Sequence, residues 1–180
     1  MAVLQHVFNM IPRLKIVMGV CGSGKSTIAK QLAHTLGGGY LDADDYHPPV
    51  NIDKMSQGKP LTDYDRWPWL QHFAKAMAAQ PCVTIGACSA LTKAYREFLS
   101  NAAGEPILFI HLVGSKALIS RRLESRENHF MPISQLDNQL KILETPGPEE
   151  IAVSIDISCS KEQIMTHILA KLTTLKSGVL

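Results

Sequence analysis

The stretch Gly19-Val20-Cys21-Gly22-Ser23-Gly24-Lys25-Ser26 constrains this chain more than any other part of it. It fits the pattern GxxxxGK[ST], which average composition produces by chance somewhere in 180 residues with a probability below about 1%. An apolar run, 14–20, leads into it, and Ile28, Leu32 and Leu36 recur every four residues after it, with Ala29 and Ala33 beside them. The run reads as a buried parallel strand and the recurrence as a helix, the context such a loop requires. Glycines let successive N–H groups turn inward and form an anion nest at a helix N-terminus. Lys25 adds a mobile cation for β- and γ-phosphates, and the Ser26 hydroxyl suits Mg2+. A plain glycine turn would not need Lys-Ser at the start of a helix. The expected phosphate binders are therefore Gly19, Gly22, Ser23, Gly24, Lys25, Ser26 and Thr27.

Gly37-Gly38-Gly39 stops that helix, and Gly39–Asp42 is short enough for a second strand ending in a cluster of acids. Prolines, Asn51 and Gly58 mark 46–60 as irregular, with one short helix at 52–57. A helix at 65–79, a strand at 81–87, a helix at 89–99 and a strand at Ile107–Val113 follow. Ser115 is placed to cap a helix reaching about residue 127. Beyond a polar and aromatic stretch at 128–132 come a helix at 133–143 and a fifth strand at 151–157. Ser160 and Gln163 have capping-box spacing ahead of a last helix with Ile164, Ile168 and Leu172 on one face. Strands alternating with helices predict parallel βαβ units and an α/β sheet covered on both sides. No repeat or linker divides the sequence. It reads as one domain over 13–180, with a lid at about 126–140, after a loose extension at 1–12.

A net charge of +2 gives no dense basic face, so no nucleic-acid partner is expected. No apolar run approaches the roughly 18 residues a membrane span needs. Residues 1–12 lack the basic start and small-residue cleavage site of a signal peptide. The four cysteines, Cys21, Cys82, Cys88 and Cys159, have no CxxC-type spacing and read as reduced thiols, which predicts a cytoplasmic protein.

A GTPase, a motor and a kinase would all share the loop. No NKxD guanine-reading motif is present, and the strand before Cys88-Ser89 carries no carboxylate at its end. The acids stand instead at Asp42, Asp44 and Asp45, at the carboxyl end of the second strand, where ligands of such sheets bind. Asp42 and Asp44 are two apart and share one side of an extended segment. One suits Mg2+ through water and the other the proton of an acceptor hydroxyl, though Asp-rich stretches also simply form turns. His47, Asn51, Lys54, Asp63, Asp65 and Arg66 follow, a mixture suited to a polyol or sugar acid. Trp67 and Trp69 read as packing residues. Arg122 and Arg126 lie four apart while Ile119 and Leu123 face the core, and they precede the expected lid. Both read as a solvated basic face or as cations for the transferring phosphoryl group, with the adenine as a further place for Arg122. Rival readings are a kinase acting on shikimate, a nucleoside or a nucleotide, a polynucleotide kinase, and a non-catalytic nucleotide-binding regulator.

A longer set of residues resembles the thermoresistant-type gluconokinases. It comprises Asp42-Ala43-Asp44-Asp45-Tyr46-His47-Pro48, Asn51, Lys54-Met55, Gly58, Pro60-Leu61, Asp63, Asp65-Arg66 and Pro68-Trp69-Leu70. Cys88-Ser89-Ala90-Leu91, Tyr95-Arg96, Arg122-Leu123, Arg126, His129-Phe130-Met131 and Leu143-Glu144 extend it over nearly the whole chain from Leu14. Departures are Cys21 for a common serine, Thr92 for a common lysine, Ser100 for a frequent basic residue, and Asn138-Gln139-Leu140 for Ser-Gln-Phe. The resemblance implies phosphorylation of D-gluconate by ATP and a nucleoside-monophosphate-kinase-like fold with a five-stranded parallel sheet ordered 2-3-1-4-5. It also implies a homodimer. Mg2+ falls to Ser26 and Asp42, catalysis to Lys25, Asp44 and Arg126, and nucleotide contact to Arg122; Asp42 and Asp44 are free to exchange roles. Gluconate needs a cation for its carboxylate, and Lys54, Arg66, Arg96 and His47 stand unranked. Ser89 either touches substrate or caps the next helix.

Overall fold

The computed structural model describes residues 11–125 and 133–177. Its strands are β1 (Leu14–Met18), β2 (Gly39–Asp42), β3 (Thr84–Ala87), β4 (Ile107–Val113) and β5 (Ala152–Asp156). They form one parallel sheet in the order β2-β3-β1-β4-β5, as the resemblance implies. The helices are α1 (Lys25–Thr35), α2 (Pro49–Ser56), α3 (Asp63–Ala78), α4 (Lys93–Ala103), α5 (Lys116–Glu124), α6 (Ile133–Ile142) and α7 (Lys161–Lys176). Residues 1–10 and 126–132, and with them Arg126 and part of the expected lid, lie outside the described residues.

Every residue of β1 is buried, which puts it at the centre of the sheet. Leu14, Ile16 and Met18 point to one face, against Trp69, Leu70, Phe73 and Met77 of α3 and Leu99 of α4. Val17 points to the other, into a core shared by Ile28 and Leu32 of α1, Ile119 and Leu123 of α5, and Ile164 and Ile168 of α7. Each fully buried large apolar side chain contributes about 1.5–3 kcal/mol, so this sandwich is the main support of the loop that leaves β1. Lys15 also lies in the interior and reaches back to the Pro12 carbonyl at 2.6 Å; burial lowers its pKa to about 8.

Three helix starts differ from the sequence reading, each for a local reason. α2 begins at Pro49 and not at 52, with proline at the first helical turn, where its missing N–H breaks no helical bond. α3 begins at Asp63 because Thr62 and Asp65 form a reciprocal capping box. α4 begins at Lys93 and not at 89, because Ala90 is in the left-handed region, at φ 43°, and Thr92 accepts the cap bond from the Tyr95 N–H. Ser89 is therefore not the cap of α4. Ser115 and Ser160 cap α5 and α7 as their spacing predicts.

Helix α3 crosses β3 at Gly86, where an added Cβ would lie 2.7 Å from Phe73 Cζ and 2.8 Å from Met77 Sδ. Gly86→Ala should therefore overpack this contact and cost about 1–3 kcal/mol. Calorimetry should find the thermal midpoint lowered by on the order of 5 °C.

Candidate active site

Phosphate loop. The chain leaves the sheet after Met18 and re-enters regular structure only at Lys25. Gly24, at φ +96°, precedes α1 with nothing within 4 Å of where a Cβ would stand, so the mouth of the loop is open. No side chain caps α1 and no acid stands in its first turn. Its first N–H groups and the positive end of its dipole thus face that opening without an internal partner, an arrangement suited to an anion. Gly22 answers a different need. A Cβ there would lie 2.7 Å from Leu123 Cγ, so only glycine lets the loop pass beneath α5. Ser23 is buried with its hydroxyl unpartnered among the described residues, while Ser26 and Thr27 are exposed.

Lys25 donates to the Val20 carbonyl at 3.0 Å. Burial lowers its pKa, and the carboxylates of Asp44 and Asp42 are among the groups that push it back. A phosphate would stabilise its charged form in the same way.

Carboxylates. Asp42 Oδ2 accepts from Ser26 Oγ at 2.8 Å and from Tyr40 Oη at 2.6 Å, and Asp42 Oδ1 accepts from the Asp44 N–H at 3.2 Å. The segment does not stay extended after Asp42, as its spacing had suggested. A 3-10 turn, Ala43–Tyr46, begins there with Asp42 as its cap. Asp44 thus projects from a turn and not from a strand. Its pKa is raised, first by the protein packed around it and then by Asp42, with Lys25 and His47 opposing. The side chain is 87% exposed, so water limits that shift. Ser26 and Asp42 supply two hard oxygen donors side by side, and these fit Mg2+, which keeps water and phosphate oxygens as its other ligands. Among the described residues no group of three or more His, Cys, Asp or Glu forms a metal cage.

Acceptor wall. His47 stacks on Trp69, with ring centroids 4.1 Å apart, and Trp69 Nε1 donates to the Ala43 carbonyl at 2.6 Å. Trp69 therefore holds the turn carrying Asp44. His47 Nε2 lies 4.0 Å from Asp44 Oδ1, and burial lowers the imidazole pKa against the pull of Asp44. Buried Asn51 donates to the Asp65 carbonyl at 2.9 Å. Lys54 bonds Asp65 Oδ1 at 2.6 Å, and Arg66 Nη1 donates to Asp63 Oδ1 at 3.1 Å and to Tyr95 Oη at 3.2 Å.

Residues placed elsewhere. Arg96 is not on this wall. Its side chain is 1% exposed, forms a bidentate pair with Glu150 and donates to the carbonyls of Ala90, Leu91 and Glu144. Its donors are engaged in holding the fold, which leaves Lys54, Arg66 and His47 as candidate partners for an acceptor carboxylate. Ser89 meets the loop through its backbone, as its carbonyl accepts from the Gly19 N–H at 3.3 Å. Cys88 is buried and its thiol is pushed up to about 12 by burial, so it is inert. Arg122 Nη2 donates to the Ile157 carbonyl at 2.7 Å. Its neighbour Arg121 lines a cleft of about 370 Å3 with Gly114, Ser115, Leu118, Asp156 and Ser158, beyond the ends of β4 and β5. Sequence reasoning missed Arg121 and Tyr40. Tyr40 was within reach, since residues two apart on a strand share a face.

A parallel sheet in this order, with an uncapped glycine loop feeding α1 and a carboxylate bonded to its serine, defines a P-loop kinase. A family model described as an AAA domain matches residues 14–146. A gluconokinase of Gluconobacter oxydans (strain 621H) is 45% identical over 147 residues, covering 80% of this chain and 82% of the relative. The thermoresistant gluconokinase of Escherichia coli (strain K12) is 44% identical over 144 residues, covering 78% and 81%. The crystal structure of a gluconokinase from Sinorhizobium meliloti 1021 superposes with a TM-score of 0.84 at 39% identity, covering 92% of this chain and 94% of that one. The chain belongs to the gluconokinase family. No helix of the described residues is long and apolar enough to cross a membrane.

The Lys54–Asp65 pair has a pH signature. Its bond to Lys54, and next its bonds to Thr62, lower the Asp65 pKa from 3.8 to about 2. A depressed carboxylate contributes stability that is complete above its unfolded pKa and is lost as pH falls through the folded one. Asp65→Asn should therefore be less stable than the parent at pH 7. Urea midpoints should show that gap narrowing between about pH 4 and pH 2. A gap independent of pH would mean the carboxylate is not ionically held.

Proposed function

We propose that this protein transfers the γ-phosphoryl group of ATP to the terminal primary hydroxyl of D-gluconate, giving 6-phospho-D-gluconate and ADP. The observation that carries the reading is the 2.8 Å bond between Ser26 and Asp42. It joins the start of the phosphate-loop helix to the turn that presents Asp44, so the nucleotide end and the acceptor end of the site are one unit. Relatives named gluconokinase at 45% and 44% identity support gluconate as the acceptor.

Within this reading the N–H groups at 22 and 24–27 hold the phosphates and Lys25 supplies charge to the group in transfer. Ser26 and Asp42 hold Mg2+, which when bound neutralises charge on the phosphate oxygens. Asp44 accepts the hydroxyl proton as the new oxygen–phosphorus bond forms and the bond to the ADP oxygen breaks. We assign Arg122 and Arg121 to the nucleotide, and Arg126 to the transferring phosphoryl group on the family resemblance. Arg66 is our choice for the gluconate carboxylate: it is half-buried, and both of its bonds among the described residues use Nη1. Its planar fork matches a carboxylate better than an ammonium does. Lys54 is tied into the cap of α3, and His47, with its pKa lowered, offers a hydrogen bond and not a charge. We further propose a homodimer, on the resemblance alone, and a cytoplasmic location. The second is supported by the lack of any disulfide among Cys21, Cys82, Cys88 and Cys159.

Asp44→Asn should lower kcat by on the order of 10²–10⁴ while ATP affinity stays within a few-fold. A base must be deprotonated to act, so the parent's kcat/KM, which reports the free enzyme, should fall as pH drops through a value above the ordinary 3.8 of an aspartate. Loss of ATP binding with unchanged kcat would move Asp44 to the metal and leave Asp42 as the base.

Glucose lacks the carboxylate at C1 and would leave the cation built for it unpaired. Its kcat/KM should be lower than that of gluconate by roughly a hundredfold or more. Steady-state rates with gluconate, glucose, shikimate and a nucleoside monophosphate give the comparison. A higher kcat/KM for shikimate or the nucleotide would remove gluconate while leaving the phosphate loop intact.

A further inference from the structure

Helix α6 and the residue that follows it carry an apolar stripe. Leu136 is fully buried, and Leu140 and Leu143 pack against the same core as Ile119 and Leu123. Gln139 interrupts that stripe at i+3 from Leu136 and i−4 from Leu143, where packing alone would favour another leucine. An amide next to an apolar core is unfavourable unless it is hydrogen-bonded. Gln139 Oε1 accepts from the backbone N–H of Cys21 at 2.7 Å, across 118 residues of sequence.

That N–H belongs to the peptide unit whose carbonyl is Val20 O. The unit is planar, so fixing its N–H fixes the direction of the carbonyl on its other side. Val20 O is the atom on which Lys25 Nζ rests at 3.0 Å, and it also accepts from the Ser23 N–H at 3.3 Å. One peptide is thus held from α6 at one end and holds the lysine of the phosphate loop at the other.

We infer that Gln139 is a positioning residue for Lys25, acting through the Val20–Cys21 peptide. Without the amide acceptor this peptide loses its tether to α6, Val20 O is less firmly oriented, and with it the rest position from which Lys25 meets phosphate. Leaving the Cys21 N–H without this acceptor carries its own cost in a half-buried site. The inference rests on the role proposed for Lys25 and does not depend on which acceptor is phosphorylated.

A double-mutant cycle read by calorimetric titration with ATP tests it, with wild type, Q139L, K25A and the double variant. The leucine continues the stripe, so Q139L should melt within a few degrees of wild type; Q139A repeats the comparison should the larger side chain not be accommodated. Q139L should weaken ATP by about tenfold, the scale of one lost hydrogen bond. In the K25A background the same change should alter affinity by less than about twofold, because effects along one chain of contacts are not additive. Equal losses in both backgrounds would give Gln139 a merely structural role, and no loss in either would overturn the inference outright. K25A that binds ATP as wild type does would remove the reading of Lys25, and this inference with it. Since ATP binding is the readout, failure of gluconate as the acceptor would show only in turnover.

Discussion

An anion nest asks a chain to hold several N–H groups converging on one open point. Nothing within the loop rewards that arrangement when the point holds only water, and the backbone twists needed are ones that side chains oppose. The loop must therefore be held from outside. β1 does so from behind, pinned between β3 and β4 with every residue buried. The Ser89 carbonyl takes the Gly19 N–H at one end, Leu123 lies against Gly22 in the middle, and Gln139 takes the Cys21 N–H. The sheet order follows from the same demand, because a loop supported on both sides has to leave a central strand.

What the sequence disclosed and what it hid divide along the distance over which each feature is encoded. The phosphate loop, the strand Ile107–Val113 and the caps Ser115 and Ser160 are local patterns, and each could be read from a few neighbouring residues. The left-handed Ala90 has no such signature, and it moved the start of α4 by several residues. Asp42 and Asp44 were legible as a pair, but their geometry was not. A capping bond within the turn, invisible to strand alternation, decides it. Arg96 and Gln139 are the hardest cases. Arginine in a kinase suggests an anion and glutamine suggests a surface, and only the three-dimensional neighbourhood assigns one to Glu150 and the other to the phosphate loop.

The acceptor wall shows a second economy. Lys54 and Arg66 each sit on a carboxylate at the first turn of α3, Asp65 and Asp63, so neither cation of that pair stands bare. Both acids also lie near the positive end of the helix dipole. The same two carboxylates thus start the helix and keep its cationic neighbours oriented. Trp69, one turn further on, holds the Asp44 turn through the Ala43 carbonyl and stacks His47 in place. The candidate acceptor cations and the start of α3 are therefore encoded in one piece of sequence.

The arginine at 96 joins segments that are remote in the chain: the bend after β3, the helix α4 and the approach to β5. β5 is a sheet edge, the element of an α/β domain most able to detach by itself. With Glu150 and the Glu144 carbonyl tied to a guanidinium buried between α4 and that bend, detachment would leave a charge stranded away from water. Opening of that edge is thereby made costly by an ion pair that also reaches the bend from which Ser89 holds the phosphate loop.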